Sequence, residues 1–150
     1  MNDASRTHCA NKGKTGVVIQ ARMRRSVEDV KTLAEVRANV RLCKGIYIEP
    51  DEIALVDPEA IRSSYLDLLE ILLSAGCYVG IATHDKVLVD GALDIINRLR
   101  LEPSRYEFQM LHGVTPTLRR QITDMGHRLR VAVPFGPSWY RYSLRRLRKN

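Results

Sequence analysis

Five short β-rich segments alternate with longer amphipathic segments after residue 15, and this alternation constrains the fold more than any other feature of the chain. Strands are predicted at 16–22, 40–47, 78–83, 106–111 and 129–133. Strands that alternate with helices form parallel sheets with right-handed crossovers. The sequence therefore predicts an α/β fold of five β/α units.

The helical segments carry signals of their own at their boundaries. Ser26 is placed to cap the first helix. Pro58 suits the first turn of the second helix, and Gly76 suits its end. The remaining helices are predicted at about 87–99, 116–125 and 139–147.

Periodicity leaves two architectures open. An open doubly wound sheet suits 150 residues, whereas a complete (β/α)8 barrel normally needs about 250. Both architectures bind ligands beyond the carboxyl ends of their strands. Polar side chains follow four of the predicted strands and indicate a binding rim there: Gln20, Arg22, Lys44, Tyr47, Thr83, His84, Asp85, Gln109 and His112.

Composition argues against several classes of function. The net charge is +7, but the basic excess gathers at 141–149 without an aromatic platform, so we expect no nucleic-acid partner. The three cysteines lack C-x-x-C spacing and the histidines lack ligand spacing, so we expect no metal site. No apolar run reaches the roughly 20 residues of a transmembrane helix, and we expect a cytoplasmic location. Residues 1–15 are polar and are predicted to form a disordered tail.

Three arginines have both a structural and a functional interpretation. Arg41 lies within a largely apolar strand, so it needs either a structural ion pair, for example with Glu107, or a ligand. Arg145 and Arg146 are adjacent on the last helix and are either surface charge or a clamp for a small carboxylate.

Five segments, in order, resemble the proline dehydrogenase family. Residues 18–21 (VIQA) resemble its fourth strand, and the fifth to eighth strands are matched by 40–47 (VRLCKGIY), 81–85 (IATHD), 106–113 (YEFQMLHG) and 130–136 (RVAVPFG). The resemblance implies a (β/α)8 TIM-barrel type of fold, truncated to about the last five β/α units. Residues 16–150 would form this partial barrel domain, strands 4–8.

The resemblance also implies an activity. Members oxidise L-proline to 1-pyrroline-5-carboxylate with FAD and pass the electrons to a quinone at the membrane, which suggests a peripheral position at its inner face. We expect the isolated chain to be a fragment of low or no activity that self-associates through exposed strand edges. Two alternatives stay open: a non-catalytic barrel remnant, and an open flavodoxin-like domain that binds an anionic or phosphorylated ligand.

Site residues follow from the same resemblance. Arg41 is the expected catalytic residue, since it resembles the arginine that hydrogen-bonds near flavin N5. The expected cofactor-binding residues are Gln20, Lys44, Gly45, Ile46, Thr83 and His84. The expected substrate-binding residues are Arg145, Arg146, Leu111 and Tyr47.

Four positions depart from the family pattern. Arg22 replaces an aromatic residue, Ile46 a small one, Ala132 a tyrosine and Lys149 a glutamate.

Overall fold

Five parallel strands form one sheet in the computed structural model, which describes residues 15–137 and 139–147, with side chains up to residue 144. The strands are β1 (Val17–Gln20), β2 (Asn39–Cys43), β3 (Tyr78–Ala82), β4 (Tyr106–Leu111) and β5 (Leu129–Ala132). Each strand pairs in parallel with the next along the chain. All five predicted strands are therefore confirmed, with β1 and β2 shorter than expected.

The helices alternate with the strands as the sequence predicts. They are α1 (Ser26–Glu35), α2 (Pro58–Ser74), α3 (Lys86–Arg98), α4 (Pro116–Asp124) and α5 (Trp139–Leu147). A short 3-10 helix, Pro103–Arg105, leads into β4. The five β/α units are thus confirmed.

The strand order decides between the two architectures. The sheet order is β1-β2-β3-β4-β5, so sequence neighbours are spatial neighbours throughout the described sheet. A doubly wound sheet instead reverses its strand order at a switch point. The flavodoxin-like alternative is therefore wrong, and the order is that of successive strands in a (β/α)8 barrel.

The two faces of the sheet differ sharply. Alternate strand residues such as Val40, Leu42, Ile81 and Phe108 are fully buried in the core formed with the helices. We call this side the helical face. The opposite side, here the polar face, carries Val18, Gln20, Arg41, Gly80, Glu107, Gln109 and Arg130. In a complete barrel the polar face would be the inside of the barrel.

Two of the three predicted helix signals act as expected. The Asp57 carboxylate accepts a 2.7 Å bond from the Ala60 amide, and Pro58 opens α2. Gly76 follows α2 with φ +83°, a left-handed conformation that glycine adopts without steric cost.

The predicted cap at Ser26 is wrong. Arg25 occupies the cap position of α1, and the Ser26 hydroxyl donates a 2.7 Å bond to the Gln20 carbonyl. Ser26 therefore ties the start of α1 to the end of β1. Within the described ranges, no helix is long and apolar enough to cross a membrane.

Candidate functional site

The carboxyl ends of the strands meet at one edge of the sheet. Pairing aligns Gln20 with Cys43, Cys43 with Ala82, and Ala82 with Gln109. The residues that follow these positions share the edge, which we call the rim. The sequence predicted this gathering because parallel strands all end on the same side.

The loop after β2 closes tightly over the side chain of Gln20. Gly45 has φ +93°, and a Cβ there would lie 2.7 Å from Gln20 Oε1 and 3.2 Å from Arg22 Cδ. The Arg22 guanidinium donates to the Tyr47 carbonyl and so holds the loop from the other side. A side chain at position 45 would meet the half-buried Gln20 amide, because that amide lies directly against the Gly45 backbone.

Lys44 is held by a carboxylate from the next strand. Its Nζ lies 3.0 Å from Asp85 Oδ2, which also accepts a 2.9 Å bond from Arg62 Nε on α2. Asp85 Oδ1 caps α3 through the Val87 amide. Burial acts to raise the pKa of Asp85, but its bonds to Arg62 and Lys44 outweigh burial and lower it. The carboxylate is therefore ionised at neutral pH and fixes Lys44 at the rim.

His84 is locked in one orientation. Its Nε2 accepts a 2.8 Å bond from the Leu111 amide at the end of β4. Burial lowers the pKa of His84, and the positive charges of Arg119, Arg41 and Lys44 lower it further. The neutral ring therefore carries its proton on Nδ1, which leaves that N–H as a donor. The neighbouring Thr83 is buried and accepts from the Asp85 amide.

Arg41 lies on the polar face, below the rim. Its Nε donates a 2.8 Å bond to Gln109 Oε1 on β4. Gln109 Nε2 donates a 2.7 Å bond to Glu107, and Arg130 on β5 binds both oxygens of that carboxylate at 2.6 and 3.0 Å. The suggested ion pair between Arg41 and Glu107 is therefore wrong, because Gln109 stands between the two side chains and Arg130 pairs with Glu107.

The structure brings most predicted site residues to one region. Six of them lie on β1 and β2 or in the loops after β2 and β3: Gln20, Arg41, Lys44, Gly45, Thr83 and His84. Ile46 and Leu111 are half-buried beside them, while the side chain of Tyr47 is exposed. Arg145 and Arg146 belong to α5, but their side chains lie outside the described residues, as does Lys149.

Two participants were missed in the sequence. Arg62 reaches Asp85 from a helix, and a single basic residue on an amphipathic helix gives no signal of that contact. Arg130 was noted only as part of a motif. Its position in β5, on the face opposite the core, was the available signal that it faces the other polar strand residues.

The fold and the rim define a class of protein: an α/β protein whose parallel sheet has the strand order of a TIM-type barrel, with a cationic, donor-rich rim at the carboxyl ends of its strands. The family model described as proline dehydrogenase matches residues 2–150. The chain belongs to the proline dehydrogenase family. The match begins within the segment that the sequence predicts to be a tail.

Relatives and solved structures agree with this membership. The chain is 35% identical over 134 residues to proline dehydrogenase 1 of Bacillus subtilis subsp. natto, covering 89% of this chain and 44% of the relative. It is 36% identical over 132 residues to proline dehydrogenase of Deinococcus radiodurans, covering 88% and 43%. The chain thus spans less than half the length of these relatives.

The fold matches that of much larger proteins. Proline utilization A (PutA) from Bdellovibrio bacteriovorus, in a crystal structure of the protein inactivated by N-propargylglycine, aligns with a TM-score of 0.80 and 26% identity. The alignment covers 98% of this chain and 19% of that protein. PutA from Corynebacterium freiburgense aligns with a TM-score of 0.73 at 20% identity, which supports the fold alone.

Proposed function

We propose that residues 16–150 form the carboxyl-terminal part of a barrel that oxidises L-proline to 1-pyrroline-5-carboxylate with FAD. The observation that carries this proposal is Arg41, a cation held on the polar face of a barrel-type sheet in a proline dehydrogenase family member. An isolated basic side chain in a strand would normally be excluded from a barrel interior unless it faces a polar or anionic group. A flavin that gains negative charge on reduction is such a group.

The residues present fit FAD. The Gly45 backbone lies directly against the Gln20 amide, and a Cβ at position 45 would displace that amide. Lys44 and Arg41 supply positive charge, and His84 Nδ1 supplies a neutral donor. Amides, cations and a close-packed glycine are the donors that a large anionic cofactor needs.

The cofactor, when bound, supplies the redox chemistry by accepting a hydride from the substrate. The chain supplies orientation and charge. Arg41 stabilises negative charge that develops in the site, and Lys44 and Gln20 hold the ligand against the Gly45 backbone. The neutral His84 donates a hydrogen bond without adding a second charge. Ile46 and Leu111 provide apolar walls.

We assign recognition of the proline carboxylate to Arg145 and Arg146. Two guanidinium groups bind one carboxylate through charge-assisted, bidentate hydrogen bonds. The pair lies on α5, which follows β5 and therefore leaves the same edge of the sheet as the rim. Tyr47, whose exposed ring lies in the loop after β2, contributes the outer part of this pocket.

Two features support low activity in the isolated chain. Ala132 lies at the carboxyl end of β5, where a small exposed side chain builds no wall above a substrate. β1 and β5 each pair with one neighbour in the described sheet, so both have an unpaired edge. Unpaired edges promote association, and we propose that the chain self-associates through them. We also propose that the electrons pass to a quinone in the membrane. The protein itself would be cytoplasmic or lie at the periphery of the membrane.

Anaerobic addition of proline to the FAD-loaded chain tests the function. We expect the flavin absorbance to fall slowly with L-proline, in keeping with low activity, and to stay unchanged with pyrrolidine, which lacks the carboxylate. A decrease with both compounds would contradict carboxylate recognition. Bound flavin that neither compound reduces would support the alternative of a non-catalytic barrel remnant.

Matched arginine variants test the clamp. Arg146→Ala should weaken proline binding by about ten- to a hundredfold, because a charged hydrogen bond contributes about 1.5–3 kcal/mol. Arg148→Ala removes the same charge two residues later and should have little effect. Equal losses would mean that general basic charge, rather than a clamp, explains the affinity.

A further inference from the structure

The polar face carries a chain of side chains that crosses four strands. Arg130 lies on β5, Glu107 and Gln109 on β4, and Arg41 on β2. The links are Arg130 to Glu107 at 2.6 and 3.0 Å, Gln109 to Glu107 at 2.7 Å, and Arg41 to Gln109 at 2.8 Å. The Gln109 side chain therefore passes over β3 to reach Arg41.

β3 makes room for this crossing with a glycine. Gly80 pairs with Arg41 on one side and Glu107 on the other. A Cβ at position 80 would lie 2.4 Å from Gln109 Nε2 and 2.9 Å from Gln109 Cδ. A glycine inside a strand commonly marks such a close approach. Any other residue at position 80 would displace the Gln109 amide.

The chemistry of the side chains fixes which atom donates and which accepts in each hydrogen bond. The Glu107 carboxylate only accepts hydrogen bonds, so it draws the Gln109 Nε2 donor toward itself. The Gln109 Oε1 acceptor must then face β2, where the Arg41 guanidinium only donates. Glu107 has 8% of its surface exposed, and its negative charge is matched by the Arg130 fork. Arg41 is therefore held by a neutral amide rather than by a carboxylate, and its positive charge stays uncompensated at that contact.

We propose that Arg130, Glu107, Gln109 and Gly80 form a positioning relay that orients the Arg41 guanidinium while leaving its charge available to an anionic ligand. Arg130 acts without touching Arg41, by anchoring the carboxylate that sets the Gln109 amide. The ligand role of Arg41 rests on the proposed function. The relay itself is a property of the folded chain and needs no ligand.

The relay is tested in the ligand-free chain by NMR. Hydrogen exchange of the Arg41 Nε–H reports directly on its bond to Gln109. Arg130→Gln and Gly80→Ala leave both partners of that bond in place, yet each should speed the exchange about tenfold, the effect of losing one hydrogen bond. Gln109→Leu should do the same by removing the acceptor.

Arg98→Gln is the matched control. Arg98 also grips a glutamate with a fork, at 2.6 and 2.9 Å to Glu70, but it does so between α3 and α2. This variant should leave Arg41 exchange unchanged. Unfolding midpoints of all variants separate local from global loosening. If one variant fails to fold, the other two relay variants still decide the question.

The outcomes separate the relay from the proposed function. Faster Arg41 exchange in Gln109→Leu but unchanged exchange in Arg130→Gln and Gly80→Ala would overturn the relay and leave independent pair contacts. Equal acceleration in Arg98→Gln would also overturn it. If the unaltered chain does not bind FAD, the proposed function is contradicted, but the exchange measurements still test the relay. If FAD binds, the relay variants should lower the flavin reduction potential, whereas Arg98→Gln should not.

Discussion

The two faces of the same five strands do different work. On the helical face, Val79, Ile81 and Phe108 are fully buried in an apolar core. On the polar face, the residues on either side of Phe108 in β4, Glu107 and Gln109, take part in directional hydrogen bonds. Burial on the helical face stabilises the fold without regard to direction, whereas the polar face depends on the donor and acceptor geometry of each side chain. Stability and chemistry are thereby separated by the alternation of side chains along a strand.

Truncating neighbouring residues of β4 gives the largest expected contrast. Phe108→Ala removes a fully buried ring and should lower the free energy of unfolding by about 3–5 kcal/mol. Gln109→Ala removes two hydrogen bonds on the polar face and should cost about 1–2 kcal/mol. Urea unfolding measures both changes. Equal losses of unfolding free energy in the two variants would contradict the claim that the helical face provides most of the stability.

The pH dependence of stability distinguishes two similar ion pairs. Burial acts to raise the pKa of Glu107, but hydrogen bonds, with that to Arg130 the strongest, lower it below the ordinary 4.5. A lowered folded-state pKa gives stability that is present above the unfolded value and is lost as the pH falls through the folded value. Glu107→Gln should therefore remove about 1 kcal/mol at pH 6 and much less at pH 3.

Glu70 is the control for that titration. The bond to Arg98 lowers its pKa in the same direction, but the pair lies on the solvent side of the helices. Solvent screens such pairs, so Glu70→Gln should change the pH dependence less than Glu107→Gln. Urea unfolding at pH 6 and pH 3 decides the comparison. A larger effect at Glu70 would contradict a specific role for the polar face.

Gly80 gives the smallest expected effect on stability, and Gly76 serves as its comparison. Gly80→Ala should change the free energy of unfolding by less than about 1 kcal/mol. Alanine lowers the conformational entropy of the unfolded chain, and this stabilisation offsets the cost of displacing the Gln109 amide. Gly76→Ala should cost about 1 kcal/mol or more, since its φ is +83°. A large loss at Gly80, measured by thermal unfolding, would mean that the Gln109 side chain has no alternative position.

The sequence predicted the helical face well and the polar face poorly. Short β-rich apolar segments such as 78–83 indicate strands, so the strands could be assigned before the structure, and Val79 and Ile81 of that segment are in the core. The bonds of Arg41 could not, because they depend on strand register and on which side chain crosses a neighbouring strand. Gly80 offered a clue, since a glycine within a strand marks a close approach, but it does not name the group that approaches.

The rim shows the same limit at the ends of the strands. Its members were predictable because parallel strands end on one side, and Lys44, His84 and Asp85 lie where expected. Their partners were not, since Arg62 comes from a helix and His84 accepts from the backbone amide of Leu111, at the end of the next strand. The length of the chain favoured an open doubly wound sheet, which is wrong. The family motifs indicated a barrel instead, and the observed strand order confirms that prediction.

Equilibrium binding of FAD to the chain, followed by quenching of flavin fluorescence, tests the central claim that the polar face and rim form a flavin site. We predict saturable binding that Arg41→Gln weakens by about ten- to a hundredfold, the effect of losing a charged hydrogen bond, and that Arg98→Gln leaves unchanged. The two variants remove the same charge from opposite sides of the protein. Absence of saturable binding, or equal weakening by both variants, would contradict the claim.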